Sequence, residues 1–193
     1  GDVDGIWGKC AAVVETTFHI PHVQHVPLEP HVAIAKVDSE GNVTLWASAQ
    51  SPFAQRNLIA SALDIPESKV RVIAPLIGGG FGSKAGITME NIPVAIALKA
   101  SGHPVKFRLT REEEFYTNFV RQGLVAQIKV GCDRDGNLLG LQNTMYWDGG
   151  GYTDYGVNIT RAGGYSGSGP FDCPNVKIDS LCVYTNHPVR SEE

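Results

Sequence analysis

The chain lacks several features that would place it in simpler classes of protein. It contains no run of about 18 apolar residues, which argues against a membrane-spanning helix. Its four cysteines (Cys10, Cys132, Cys173 and Cys182) form no CxxC pair, which argues against a zinc ribbon or an iron–sulfur site within the chain. The formal net charge of -4 leaves no basic excess for binding nucleic acid.

The first residues also lack the basic and then apolar pattern of a secretory signal. Scattered cysteines without the spacing of a disulfide scaffold are typical of reduced thiols, so we predict a cytoplasmic protein. The chain opens with residues 1–4, GDVD, and closes with residues 191–193, SEE, just after a predicted strand, and neither segment resembles a natural chain end. We therefore expect residues 1–193 to be a segment of a longer polypeptide, truncated at both ends.

Glycine is the residue that the chain has in excess. The sequence has 22 glycines among 193 residues, above the usual fraction of about 7%. Many lie in clusters, at 78–80, 149–151 and 163–164. Glycine allows positive φ and a close approach of the backbone, so these clusters predict tight loops, some of which could face a ligand. Hydrophobic residues make up 42% of the chain, which predicts an ordinary packed core.

The pattern of apolar residues predicts an α+β fold with mixed or antiparallel sheets, hairpins and a few packed helices. Strands are predicted at 11–20, 69–75, 105–110 and 176–186, and two hairpins at 31–38 with 43–50 and at 124–133 with 138–148. Ser51-Pro52 predicts a helix start with a capping hydroxyl, and the helix should end near Asp64. A second helix is expected within 88–100, and Pro93 predicts either a start near Asn91 or a kink.

The sharpest local feature is the segment Gly78–Lys84, between a predicted strand and a predicted helix. It matches neither the Walker pattern nor GxGxxG, because position 83 is serine in both alignments. Bare backbone N–H groups, the following helix and Lys84 would together favour an anion. Phe81 could be buried to fix the loop or could wall a cavity. An anion- or nucleotide-binding module, and a structural domain whose glycines only shape turns, therefore remain alternatives.

Gln50 is a second candidate, because it follows a predicted strand and directly precedes the helix start at Ser51. Such a position often contacts a ligand, although an ordinary loop glutamine is the simpler interpretation. The histidines His19, His22, His25 and His31 invite a metal interpretation, but their spacing fits no single helix face or strand face. Structural hydrogen bonding, with Glu29 as a partner for a histidine, is favoured over a metal site. The charged run 111–114 is interpreted as a short, solvated helical turn at the surface.

Taken in order, four segments resemble the molybdopterin-binding large subunit of the xanthine dehydrogenase/aldehyde oxidase family. They are HVPLEPHVAIA at 25–35, WASAQSPFAQRNLIASALDIP at 46–66, KVRVIAPLIGGGFGSK at 69–84 and GHPVKFRLTREEEF at 102–115. GDVDGIW at the start, DRDGNLLGL at 133–141 and PNVKIDSLCVYTNHP at 174–188 continue the similarity over essentially the whole chain. The resemblance implies the first part of a molybdenum-cofactor-binding domain.

In that family, molybdenum is held by the dithiolene of a molybdopterin, with or without a cytosine dinucleotide extension. The resemblance implies a hydroxylase that oxidises an N-heterocycle or an aldehyde with oxygen from water. It also implies partners: the remainder of the molybdenum subunit and the iron–sulfur and FAD domains or subunits that carry two [2Fe–2S] clusters and FAD. A small molecule is the implied substrate, with no nucleic acid or membrane partner.

The resemblance assigns cofactor-binding positions residue by residue. Gln50 matches the glutamine that hydrogen-bonds an oxygen ligand of molybdenum, without being a metal ligand itself. Gly79, Gly80, Phe81 and Gly82 match the loop whose backbone approaches the cofactor. Ala85 replaces the glutamate found there in purine-specific members, which argues against a purine. No catalytic residue is assigned, because the family's general-base glutamate would lie beyond Glu193, and the segment alone is expected to be inactive.

Overall fold

The computed structural model describes residues 1–152 and 155–187, which form two compact units. The hairpin unit contains Gly1–Val23 and the described residues from Val120 onward, and the loop unit contains Gln24–Phe119. The helices are α1 (Val3–Ile6), α2 (Pro52–Leu63), α3 (Asn91–Ala97), α4 (Arg111–Thr117) and α5 (Gly156–Ser166). The strands are β1 (Ala12–Ile20), β2 (Val32–Val37), β3 (Val43–Ala47), β4 (Val70–Ile73), β5 (Val105–Arg108), β6 (Leu124–Cys132), β7 (Leu138–Asp148) and β8 (Val176–Val183).

The loop unit is built on a four-stranded mixed sheet in the order β4-β3-β2-β5. β3 pairs with β4 in parallel, and the other pairs are antiparallel. Small and branched side chains alternate along β2 and β3, so one face of the sheet is buried. That face packs against α2 and α3 through side chains such as Leu45, Ile59 and Val94, none of which has exposed surface. Each such side chain contributes roughly 1.5–3 kcal/mol by burial.

The hairpin unit is built on a second sheet, in the order β1-β6-β7-β8. The β6–β7 hairpin is antiparallel, and β7 pairs with β8 in parallel. All nine residues of β1 are exposed, although the strand is paired along its whole length with β6. The predicted hairpins, the strands and the mixed character of the sheets are confirmed. Within the described parts, no helix is long and apolar enough to cross a membrane.

Two predictions of local structure differ from the observed fold. α2 begins at Pro52 as predicted, but Ser51 makes no side-chain capping hydrogen bond. The capping box of this unit lies instead at α4, where the hydroxyl of Thr110 and the carboxylate of Glu113 cap each other's backbone N–H. α5 was not predicted at all. Its two central glycines suggested a loop, but the ring of Trp147 lies against Gly163, where a Cβ would come within 3.2 Å of Cε2.

Candidate functional site

The segment 78–82 adopts a backbone shape that most residues cannot take. Gly79, Phe81 and Gly82 have φ values of +90°, +56° and +100°, in the left-handed region where glycine is strongly favoured. Phe81 is the only one of the three with a side chain, and its left-handed conformation costs on the order of 1 kcal/mol. A run of this kind turns successive N–H groups toward one side, which forms a concave donor surface. We call residues 78–82 the glycine loop.

Gln50 is attached to the glycine loop through its side-chain oxygen. Oε1 of Gln50 accepts hydrogen bonds from the backbone N–H of Gly82 (3.0 Å) and of Lys84 (3.2 Å). Both partners are donors, so the amide can have only one orientation, with Nε2 on the opposite side. Among the residues that the structure describes, none accepts a hydrogen bond from Nε2. Gln50 is exposed, so it presents an amide donor outward from a fixed position.

Gly80 allows the amide of Gln50 to come close to the loop. A Cβ at this position would lie 2.9 Å from Cδ and 3.1 Å from Cγ of Gln50. The backbone N–H groups of Gly79, Gly80 and Phe81 find no acceptor within the described ranges. These three N–H groups, of which that of Gly80 belongs to a buried residue, and Nε2 of Gln50 are unpaired donors on one fixed scaffold, which suits a ligand rich in acceptor atoms.

The ring of Phe81 is not a plug in the core. It is 64% exposed, and a Cβ on Gly79 would lie 3.0 Å from its Cε2 atom. The expectation that burial of Phe81 fixes the loop is therefore wrong for this unit. A large exposed aromatic ring next to unpaired donors is an available wall for a ligand.

Lys84 does not act as a free cation. Its side chain has no exposed surface, and Nζ donates to the backbone oxygen of Glu29 (2.8 Å) and to Oε2 of Glu29 (2.9 Å). Oε2 of Glu29 also accepts from the N–H of Gly78 (3.0 Å). The prediction that Lys84 and a helix directly after it favour an anion is wrong, because the charge is paired and α3 begins only at Asn91. This finding argues against the phosphate-binding module.

A buried histidine holds the other end of the loop. Nε2 of His31, which has no exposed surface, donates to the carbonyl oxygen of Ser83 at 2.9 Å. Oγ of Ser83 in turn donates to the carbonyl oxygen of Gly80 at 2.8 Å. Nδ1 of His31 lies 3.0 and 3.1 Å from the two carboxylate oxygens of Glu114, which also accepts from the backbone N–H of His31.

Two expectations about charged residues are corrected by this arrangement. The histidine partner is Glu114 rather than Glu29. Glu114 is only 1% exposed, so the run 111–114 is not a fully solvated surface turn. Asn118, one helical turn further along, donates through its side chain to Glu114, and its Nδ2 lies 3.1 Å from Nδ1 of His31. The signal was present in the i, i+4 spacing of Glu114 and Asn118, which places both on one face of α4.

The electrostatics of the loop are largely internal. Burial raises the pKa of the Glu29 carboxyl, but the hydrogen bond from Gly78 and the ion pair with Lys84 outweigh it and lower the pKa below the usual 4.5. Ala85 is also inside, at 8% exposure, and its N–H donates to the carbonyl oxygen of Gly82 at 3.1 Å. The candidate site is therefore neutral on its outer side, with amide donors and an aromatic ring.

The four histidines from the N-terminal third do not assemble into one cluster. In the described ranges, the one group of His, Cys, Asp or Glu with metal-compatible spacing joins His22 to Asp148 and His187. His31 is used by the loop network instead. Sequence reasoning therefore missed Glu114, Ser83 and Asn118 around the loop.

Known proteins match this chain in sequence and in fold. A family model described as molybdopterin cofactor-binding domain matches residues 1–192. The large molybdopterin subunit of nicotinate dehydrogenase from Eubacterium barkeri is 34% identical over 189 residues. The alignment covers 98% of this chain and 44% of that subunit, so the chain spans less than half the length of this relative.

Two solved structures are also similar to the chain. Aldehyde oxidoreductase from Desulfovibrio gigas is 26% identical and superposes with a TM-score of 0.88, over 99% of this chain and 21% of that one. Quinoline 2-oxidoreductase from Pseudomonas putida 86 is 26% identical with a TM-score of 0.81, over 99% and 25%. The similarity therefore covers both units described above.

Proposed function

This chain belongs to the family of molybdopterin cofactor-binding domains, and from that membership we infer that Gln50 and the glycine loop form its contact with the cofactor. The cofactor, when bound, would supply the redox centre at which a substrate carbon is hydroxylated with oxygen from water. The residues that would hold it are Gln50, Gly79, Gly80, Phe81 and Gly82. The experiment below tests this assignment.

The orientation of Gln50 is the observation that carries the proposal. Its Oε1 atom is occupied by Gly82 and Lys84, so Nε2 can only donate outward. A fixed donor of this kind stabilises negative charge that develops on an acceptor atom, and it needs no reorganisation when the charge appears. The adjacent N–H groups of the loop add donors, and the exposed Phe81 ring adds an apolar surface to the same loop.

The substrate class that we propose is an N-heterocycle or an aldehyde. The relatives support both, because their names refer to nicotinate, to an aldehyde and to quinoline. Ala85 is small, apolar and buried, so position 85 provides no carboxylate for a purine ring. An N-heterocycle that needs no carboxylate at this position and an aldehyde both fit this feature.

We further propose that the chain acts as part of a longer molybdenum subunit and is inactive alone. The share of the relatives that it spans, 44% and 21%, supports this. The remainder would supply the general-base glutamate and most of the cofactor surface. Iron–sulfur and FAD domains or subunits would carry electrons away in the cytoplasm, and the cofactor would be molybdopterin or its cytosine dinucleotide form.

The substitution Gln50→Glu tests the role of the amide without removing the side chain. A glutamate retains an oxygen for the N–H groups of Gly82 and Lys84, but it replaces the outward donor by an acceptor. We expect the molybdenum content per protein to be retained within about two-fold, while turnover falls by on the order of 100-fold, as for loss of a donor in an oxyanion hole. Turnover is measured on the molybdenum-loaded enzyme with a panel of N-heterocycles and aldehydes.

The matched control is Gln127→Glu, which adds the same charge at an exposed position of β6. It should behave as the wild type in both measurements. Full turnover in the Gln50→Glu enzyme would remove Gln50 from the site. Product oxygen that derives from dioxygen rather than from labelled water, or a purified enzyme without molybdenum, would contradict the proposed class of reaction.

A further inference from the structure

The hairpin unit gathers two histidines and a carboxylate at one end of its sheet. Asp148 is the last residue of β7, His22 lies two residues beyond β1, and His187 lies four residues beyond β8. Their ligand atoms all lie within 4.8 Å of one another. Nε2 of His22 is 2.8 Å from Oδ2 of Asp148, and Nδ1 of His187 bonds the same oxygen.

We propose that His22, Asp148 and His187 form a binding site for a divalent transition-metal ion of the Zn²⁺ class. Two imidazoles and one carboxylate are a ligand set that such ions prefer, and three protein ligands leave room for water as the fourth. The site lies in the hairpin unit, uses none of the residues proposed to contact the cofactor, and does not depend on the proposed function.

The backbone around the three residues is fixed by hydrogen bonds from several directions. The N–H of Asp148 donates to the carbonyl oxygen of Gly123 (2.9 Å), and the N–H of Gly151 donates to the carbonyl oxygen of His187 (3.1 Å). The N–H of Thr185 donates to the carbonyl oxygen of Gly150 at 3.2 Å. Val23, the neighbour of His22, exchanges two backbone hydrogen bonds with Arg121 (3.3 and 2.8 Å), so main-chain bonds hold all three ligand-bearing segments before any ion binds.

The carboxylate has the support that metal-bound carboxylates usually have. Oδ1 of Asp148 accepts from the hydroxyl of Thr185 and from the N–H of Gly150 at 3.2 Å. Oδ2 is left facing the two histidines. Hydrogen bonds of this kind orient a ligating oxygen and raise the affinity of the site.

The imidazole rings are also positioned for one ion. The rings of His22 and His187 are nearly perpendicular, at 83°, with centroids 5.2 Å apart. Gly123 leaves room for the ring of His22, because a Cβ at position 123 would lie only 3.0 Å from Nε2 of His22. Ligand bonds of about 2.1 Å at tetrahedral angles separate ligand atoms by ~3.4 Å, so the His22 nitrogen and the Asp148 oxygen need to part by roughly 0.6 Å.

Solvent can reach the proposed site from one side. The side chain of His187 is 55% exposed, whereas those of His22 and Asp148 are 28% and 15% exposed. His22 and Asp148 also line a surface cavity of about 320 Å³, together with Tyr146 and Gly123. An ion can therefore enter without unfolding, and a water molecule has space to complete the coordination.

Zinc titration of the whole protein, expressed without a histidine tag and freed of metal by a chelator, tests the proposal. The test compares the wild type with His22→Gln and His187→Gln, and His103→Gln is the matched control because His103 is exposed in the loop unit. We expect the wild type and the control each to bind one zinc ion per chain at this site. Each site variant should bind it at least about 100-fold more weakly, because loss of a group that only orients a metal ligand already weakens binding by about 10–100-fold.

Zinc-edge X-ray absorption of the loaded wild type supplies a second measurement that does not depend on how the variants fold. Two imidazole rings and oxygen ligands are expected around the ion. Equal zinc affinity in all four proteins, or a bound zinc with fewer than two imidazoles, would overturn the proposal. A wild type that binds no more zinc than the His187→Gln variant would also overturn it, because His22, Asp148 and His187 would then form only a set of hydrogen bonds.

Discussion

Lys84 and Glu29 form an ion pair that is buried on one side only. Nζ of Lys84 lies 2.9 Å from Oε2 of Glu29, and the side chains are 0% and 32% exposed. The same carboxylate oxygen accepts a hydrogen bond from the N–H of Gly78. The positive charge that follows the glycine loop therefore stabilises the loop's own shape and is not available to a ligand.

The first prediction follows from the unequal burial of this pair. Glu29→Gln should lower the free energy of unfolding by about 3 kcal/mol, because it leaves an ammonium group buried without a counter-charge. Lys84→Met should cost less, about 1–2 kcal/mol, because the remaining carboxylate can turn toward water. Urea unfolding of the single and double variants measures both values, and the double variant should be more stable than the sum of the two losses predicts.

Glu112→Gln is the control for charge, since Glu112 is exposed on the same unit. It should change the unfolding free energy by no more than about 0.5 kcal/mol. A larger loss in Lys84→Met than in Glu29→Gln would show that the ammonium group is solvated in the folded protein, contrary to the structure.

The second prediction concerns pH. The hydrogen bond from Gly78 and the charge of Lys84 lower the pKa of Glu29 in the folded protein below 4.5, even though burial raises it. A carboxyl group whose pKa is lower in the folded than in the unfolded protein contributes its full stabilisation when the pH is above the unfolded-state pKa. That contribution is lost as the pH falls through the folded-state pKa. The difference in unfolding free energy between wild type and Glu29→Gln should therefore be largest above pH 4.5 and shrink below it. Unfolding curves at about pH 6 and about pH 3 check this, and a pH-independent difference would refute it.

Much of the loop unit could be predicted from sequence because its signals are local. Alternation along 31–38 and 43–50, Pro52 at the first helical position and the glycines at 78–80 all depend on neighbouring residues. Gln50 was identified by resemblance and by its place after a strand. The structure adds the reason for its orientation, since Oε1 is held by Gly82 and Lys84.

The parts that could not be predicted depend on contacts distant in sequence. Glu114 is buried against His31, 83 residues earlier, and its spacing to Asn118 indicates a shared helix face but not this distant partner. The glycines of α5 suggested a loop, and the close contact of Gly163 with the ring of Trp147 could not be read from the segment alone. The prediction that Lys84 favours an anion was wrong for the same reason, because its partner Glu29 lies 55 residues away.

The third prediction concerns the contact between Gly80 and Gln50. A methyl group at position 80 would lie within 3.1 Å of both Cγ and Cδ of Gln50. The backbone at Gly80 is held by Ser83, whose N–H (3.1 Å) and hydroxyl (2.8 Å) both donate to its carbonyl oxygen, so the glutamine has to move instead. Its hydrogen bonds to the N–H groups of Gly82 and Lys84 would then break.

Gly80→Ala should therefore lower the free energy of unfolding by roughly 1–3 kcal/mol, about 1 kcal/mol for each lost hydrogen bond plus local strain. It should also speed amide hydrogen exchange at positions 82 and 84, which mass spectrometry of a peptide spanning the loop can measure. Gly86→Ala is the matched control, because a Cβ there meets only Cε2 of Phe119 at an ordinary 3.7 Å. If both variants exchange at the wild-type rate in this peptide, Gln50 is not held by the loop, and the outward direction of its amide donor loses its physical basis.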